Sequence, residues 1–312
     1  MFNFKNLWKE ADLSAIHAFI QQFESKLPEE LRQMDWARVP EVDARVDRLN
    51  LNLNSAGFDR WGLHPDTLRK LAPILNWVYR KYFRVEAIGL EALPVGRTLF
   101  VGNHGGQIPL DAMMAGMALF MEAEPPRIAR AMVERWVPTV PFVSSLFTRI
   151  GAMIGDPANC RELLEHDQSV MVFPEGVRGS GKLFKDRYQL QRFGTGFMRL
   201  AIESKAPIVP VAIIGTEETY PSVHNFKSFA NLIGAPYFPI TPFFPLLGPL
   251  GLIPLPAKVT VRFGAPILFE GDPQESEEFI REKVAVVKDA LQKEIQMGLE
   301  LRGDSVFKGP KK

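Results

Sequence analysis

His104 and Asp111 flank a glycine-rich turn, Val101-Gly102-Asn103-His104-Gly105-Gly106-Gln107-Ile108-Pro109-Leu110-Asp111. A neutral imidazole can take a proton from a hydroxyl. A nearby carboxylate can fix its tautomer and stabilise the imidazolium that forms. Gly105 and Gly106 allow a tight turn and offer backbone N–H groups to an oxyanion. Neither Ser nor Cys adjoins His104, which favours direct attack by a bound alcohol over a covalent enzyme intermediate. A nucleophile from elsewhere in the chain stays open. So does a structural alternative, in which Asp111 caps a helix and His104 ends a strand.

The flanking segments show what must hold this pair. Thr98-Leu99-Phe100-Val101 reads as a buried strand, and Ala112 to Met121 as an apolar helix. A second buried strand, Ser169 to Val172, runs into the polar turn Phe173-Pro174-Glu175-Gly176-Val177-Arg178. Beyond it Arg178, Lys182, Lys185, Arg187 and Arg192 crowd into one short span. Arginine grips phosphate in bidentate fashion, so this span reads as an anion site. A solvated basic loop, or one touching anionic headgroups, is the alternative. The run Gly176 to Leu183 nearly spells a nucleotide phosphate loop, but Leu183 stands where Ser or Thr must bind magnesium.

With these blocks in view, the chain resembles the phospholipid and glycerol acyltransferases, also called the lysophospholipid acyltransferase family. The resemblance rests on Asn103-His104 to Asp111, Phe147-Thr148-Arg149, Phe173-Pro174-Glu175-Gly176-Val177-Arg178, and Val209-Pro210-Val211, in that order, and covers residues 66–270. The Phe-Pro-Glu-Gly-x-Arg block is its most specific part. The stretch from His104 to Asp111 is longer than the family's usual spacing. This Gly-Gly-x-x-Pro form resembles a branch with enzymes acting on neutral acylglycerols.

The resemblance implies catalytic His104 and Asp111, with Glu175, Gly176, Arg178 and Arg149 placing the acceptor. Glu175 is expected to orient Arg178 or to accept from acceptor hydroxyls, and Gly105 and Gly106 are the oxyanion candidates. The implied reaction moves a fatty acyl group from a thioester, on coenzyme A or acyl carrier protein, to the hydroxyl of a lysophospholipid or other glycerolipid. A mono- or diacylglycerol acceptor is the alternative. An acyl-ester hydrolase and a non-catalytic lipid-binding protein are alternatives of other classes. No cofactor is expected beyond the thioester co-substrate. No metal is expected either, since no Cys/His cluster or His-Glu-x-x-His stands in the sequence.

Composition sets the outer limits. The chain has 312 residues, 46% of them hydrophobic and 23% charged, and a net charge of +1. That suffices for a sizeable core and gives no global field for nucleic acid. The single cysteine, Cys160, fits a reducing compartment. The first residues lack the apolar core of a signal peptide. Residues 1–65 read as an N-terminal helical extension, with Ile16, Phe19, Ile20, Phe23 and Leu27 at helical spacing. Packing on the main domain and docking to a membrane are both open for it.

Residues 66–302 read as the acyltransferase domain and 303–312 as a tail, with fraying from Arg302 onward. Asp66 reads as a helix N-cap. Strands alternate with helices from Phe83 to Phe263, and a helix with Ile280, Val284, Val287, Leu291 and Ile295 on one face follows. The fold class expected is α/β, a mixed central sheet flanked by helices as in glycerolipid acyltransferases, with ligands at the carboxyl edge of the strands. Trp136 to Phe147 reads as a helix or a mobile cover. Ser228 to Ala257 carries no charge and is long enough to span a bilayer, but its prolines deny it a helix. It reads as a surface flap dipping into the membrane interface through Phe243, Phe244, Leu246, Leu247 and Leu250, with a buried cover as the alternative. The protein is expected in the cytoplasm, peripherally on a membrane surface.

Overall fold

The computed structural model describes residues 39–135, 143–226, 230 and 237–303. The chain divides into two compact units, residues 1–39 and 40–312, and the described residues beyond Val39 all belong to the second. The helix expected around Ile16 to Leu27, most of the Trp136 to Phe147 segment, residues 228–229 and 231–236 of the uncharged stretch, and the tail from Asp304 lie outside the described residues.

The second unit opens with α1 (Pro40–Asp47) and α2 (Pro65–Trp77). The latter starts two residues earlier than Asp66 suggests: His64 is the N-cap and Pro65 the first helical residue. A proline there gives up no needed N–H and has its φ already set, so it fixes the start. Asp66 instead pairs with Arg69 at 3.1 Å. Then follow β1 (Glu86–Ile88), β2 (Thr98–Gly102), α3 (Leu110–Met121), β3 (Ala129–Val133), α4 (Val143–Arg149), β4 (Met153–Ile154) and α5 (Pro157–Glu165). After these come β5 (Ser169–Val172), α6 (Val177–Ser180), α7 (Gly196–Ser204), β6 (Ile208–Ile214) and α8 (Thr216–Thr219). The chain ends with β7 (His224–Asn225), β8 (Pro239–Ile240), β9 (Thr260–Phe263) and α9 (Glu277–Arg302).

Seven strands form one sheet in the order β1-β9-β6-β2-β5-β3-β4. All neighbours run parallel except β6 and β9, which are antiparallel, so the sheet is mixed. All residues of β2 and β6 are buried. Strands covered on both faces bury every side chain, which is why these segments read as unbroken apolar runs rather than alternating ones. The core joins Leu99, Val101, Val170 and Ile208 to Met198 of α7 and to Ile280, Val287, Leu291 and Ile295 of α9. The apolar stripe of α9 recurs at helical spacing and is buried along its length.

Two features of this frame set up the site. β2 and β5 are parallel neighbours in register, Val101 opposite Val172, so the turns that follow them lie side by side. Asn103 then locks the end of β2 to β6: its side chain donates to the Ile213 carbonyl (2.9 Å) and accepts from the Ile213 N–H (2.7 Å). At the far end, Arg302 is not the start of a frayed tail. It is buried and pairs with Glu218 at 3.1 Å, while also donating to the Tyr188 hydroxyl at 2.9 Å. A buried arginine keeps its charge only where a carboxylate answers it, and Glu218 does so.

Candidate active site

The turn after β2 brings His104 and Asp111 together. The His104 Nδ1 lies 2.5 Å from Asp111 Oδ2. Asp111 is wholly buried and sits in the first turn of α3; the N-cap position belongs to Pro109, and Asp111 Oδ1 accepts from the Ala112 N–H at 2.7 Å. The longer spacing is absorbed by two left-handed residues, Gly106 (φ +94°) and Gln107 (φ +68°), which fold the loop back before α3 begins. Gly105 allows a close approach: a Cβ there would lie 2.4 Å from Cγ of Glu217.

With Nδ1 on the carboxylate, Nε2 is the nitrogen left to accept a proton. The imidazole stacks on Phe173 (4.7 Å between centroids) and keeps 17% of its surface exposed, at the wall of a cavity of about 480 Å³. Burial works against the charged imidazole. Asp111 opposes it by charge and hydrogen bond, Glu175 adds to Asp111 and Lys182 opposes both, and the balance holds the His104 pKa above its ordinary value.

The second turn supports the first. Glu175 is buried; its Oε1 accepts from the His104 N–H (2.9 Å) and its Oε2 from the Gln191 N–H (2.7 Å). It therefore holds backbone and does not reach Arg178. Gly176 lines the cavity at the start of α6. Arg178 points outward, exposed, and lines neither this cavity nor the next. Arg149, at the end of α4, lies over the Phe58 ring at 5.7 Å and lines neither cavity. Gly105 donates its N–H to Asp111 Oδ2 (3.0 Å), which takes that group from any oxyanion. Gly106 is buried behind it.

The basic span is divided by the fold. Arg178, Lys185, Arg187 and Arg192 are exposed, whereas Lys182 is buried against Glu217 (2.7 Å) and Glu175 (3.5 Å). Among the described residues, no Lys or Arg lines the His104 cavity, and Glu134 does. Glu217, Tyr237 and Gln107 also shape the site without having been singled out by the sequence. Tyr237 donates its hydroxyl to the Gln107 carbonyl (2.5 Å), and the Gln107 amide donates to the Lys182 carbonyl (2.9 Å).

A second cavity of about 340 Å³ shares Ile108, Pro109, Ala112 and Phe147 with the first and continues between α2 and α3. Leu68, Leu75, Met113 and Met117 make its wall apolar. A Cβ built on Gly116, inside α3, would meet nothing within 4 Å. Glycine in a helix interior costs about 1 kcal/mol relative to alanine, and here no neighbour demands it. Its effect is to keep the cavity open.

The family described as Acyltransferase matches residues 84–214. An uncharacterized protein of Mycobacterium leprae is 42% identical over 212 residues, 67% of this chain and 58% of that protein. A Mus musculus protein named DGAT1/2-independent enzyme synthesizing storage lipids is 28% identical over 208 residues, 66% of this chain and 59% of that protein. The chain thus spans about three fifths of the length of the curated relatives it matches. A crystal structure of the 1-acyl-sn-glycerophosphate (LPA) acyltransferase, PlsC, from Thermotoga maritima aligns with a TM-score of 0.48 at 19% identity, covering 77% of this chain and 83% of that one.

Proposed function

We propose that this chain, whose residues 84–214 match the family described as Acyltransferase, moves a fatty acyl group from an acyl thioester to the hydroxyl of a glycerolipid, with His104 as general base and Asp111 as its partner. The observation that carries this reading is the His104–Asp111 contact at the wall of a cavity that shares lining residues with an apolar one. Nε2 takes the acceptor's hydroxyl proton while Nδ1–H stays on Asp111. The acceptor oxygen attacks the thioester carbonyl. The tetrahedral intermediate collapses, the C–S bond breaks, and the leaving thiolate takes the proton from the imidazolium. The apolar cavity beside Gly116 gives a hydrocarbon chain a dry place to lie, and burial of each CH₂ is worth about 0.8 kcal/mol.

For the acceptor, a neutral acylglycerol stands ahead of a lysophosphatidate. A phosphate beside His104 would face Glu134 with no cation among the described lining residues. The Mus musculus relative's name, with its storage lipids, fits the same reading. Acyl transfer to monoacylglycerol and to lysophosphatidate, by the native protein and by Arg178→Ala, tests it. The native protein is expected to prefer the neutral acceptor. Arg178→Ala, an exposed change, is expected to alter either rate by no more than about twofold. A loss of about ten- to a hundredfold on lysophosphatidate alone would mean that Arg178 grips a phosphate, and the phospholipid acceptor would return.

The substrates reside in membranes, and one face of the chain suits that surface. No helix among the described residues is long and apolar enough to cross a bilayer. From Tyr237, which lines the cavity, an uncharged segment runs out to a row of exposed apolar side chains: Leu246 (82% exposed), Leu250 (69%) and Ile253 (57%). Phe244, by contrast, turns inward onto Phe238. A patch of this kind marks a contact surface. The double change Leu246→Ser, Leu250→Ser is expected to weaken flotation with liposomes while leaving turnover of a short-chain, water-soluble acceptor unchanged. Native flotation by the double variant would remove this segment from the membrane contact.

A further inference from the structure

The buried lysine behind the catalytic loop has no part in the chemistry just described, yet it touches Glu175 and Glu217, which pack on the backbone at His104 and Gly105. Its Nζ lies 2.7 Å from Glu217 Oε1 and 3.5 Å from Glu175 Oε2, and its side chain is only 4% exposed. Glu175 is the acceptor of the His104 N–H. Glu217 lies in van der Waals contact with Gly105, so close that no Cβ could stand there, and also accepts from the Tyr188 N–H at 2.5 Å. The Lys182 carbonyl accepts from the Gln107 side chain. Three successive parts of the loop, at His104, Gly105 and Gln107, are thus tied to one residue on another segment. A surface lysine would spend its charge in water. This one spends it between two buried carboxylates, and a buried charge needs such partners.

We propose that Lys182 is a positioning residue: by bridging Glu175 and Glu217 it fixes the His104 backbone, and so aims Nε2 at the acceptor hydroxyl. Nothing in this requires Lys182 to touch substrate. Its charge also bears on the imidazole. The groups facing His104 are Asp111 on α3, Glu175 after β5 and Lys182 after α6, with Glu134 and Tyr237 lining the same cavity and Glu217 behind Gly105. Lys182 is the cation in that set, and it holds the His104 titration down against the carboxylates. Burial raises the pKa of Glu217 and Lys182 opposes that by charge and hydrogen bond, the balance lying above the ordinary carboxylate value.

The kinetic part of this proposal rests on His104 acting as base; a titration of its imidazole by NMR does not. Lys182→Met, the double variant Lys182→Met with Glu217→Gln, and Lys182→Gln would be compared with the native chain. The double variant removes the cation together with the carboxylate it answered. Lys182→Gln keeps a hydrogen-bond donor should the methionine variants fail to fold. In the folded variants the His104 titration is expected to move up. Turnover is expected to fall on the order of 10²-fold with KM near native, because a small misplacement of a catalytic group has that effect. The acid limb of the rate profile should follow the titration upward. Folded variants with native kcat and an unmoved His104 titration would overturn the proposal. If His104→Ala still transferred acyl groups while the Lys182 variants still moved the titration, the base assignment would fail and the clamp would stand. If His104→Ala were inactive and the titration unmoved, the clamp alone would fail.

Discussion

A His104→Gln protein is expected to fold, to bind its thioester donor, and to lose acyl transfer by about 10²–10⁴-fold, the usual worth of a general base. Glutamine is the sharper test than alanine because of what lies behind the ring. Asp111 is wholly buried, and its Oδ2 is shared between His104 and the Gly105 N–H. His104→Ala would leave that carboxylate short of a partner, and stability would fall along with activity. The glutamine amide still donates to Asp111 but cannot take a proton near neutral pH. The native rate profile adds a second readout. A base must be neutral to act, so kcat/KM should fall toward acid as His104 takes up a proton. The His104 pKa is held above its ordinary value, so this limb should lie on the alkaline side of a free imidazole's. His104→Gln should have no such limb. Native-rate transfer by His104→Gln would end the mechanism.

What made this pair legible in the sequence is that its geometry is local. A buried strand, a glycine turn and a helix start fix where His104 and Asp111 can go, and their contact follows from a loop of a few residues. The mixed central sheet flanked by helices was legible for a related reason: strands alternate with helices, and unbroken apolar runs mark strands covered on both faces. The stripe of α9 could be read off as a repeat of 3.6.

Charges were read less well, because a sequence gives a charged residue no address. The run from Arg178 to Arg192 reads as one basic span. The fold turns Arg178 out and draws Lys182 in, since Glu217, from α8, and Glu175 wait for it there. Glu217 and Glu218 follow β6 and both are buried, one on Lys182 and one on Arg302 and Tyr188. These partners lie far apart along the chain. Pairing between distant, oppositely charged groups leaves no periodicity to detect, and the prior for Lys, Arg and Glu is the surface. Arg178 and Arg149 were expected at the substrate on the strength of matching blocks, and neither is among the residues that line the two cavities.

Asp111→Asn should cost nearly as much as the loss of the base, and it separates the two meanings of this aspartate. Asn and Asp cap helices about equally well, so a mere cap would survive the change. The structure already gives the cap position to Pro109, and Asp111 Oδ2 is spent on His104 and Gly105. As a partner of the imidazole, the carboxylate does two things that an amide cannot: it holds the proton on Nδ1 in either orientation, and it stabilises the imidazolium as the proton arrives. In a Ser-His-Asp triad the same change leaves the geometry in place and lowers kcat by about 10⁴-fold, largely through the wrong tautomer. The sign of the pH effect follows from the forces on His104. Burial lowers its pKa and Asp111 is the main group raising it. With the carboxylate gone, burial is opposed only by Glu175, so the pKa should drop. The plateau of kcat/KM should therefore fall by about 10²–10⁴-fold while the acid limb moves to lower pH. A simple loss of fold would lower the plateau without moving the limb. An Asp111→Asn protein with a native plateau and an unmoved limb would return Asp111 to a structural role and leave His104 to act, if it acts, without a carboxylate.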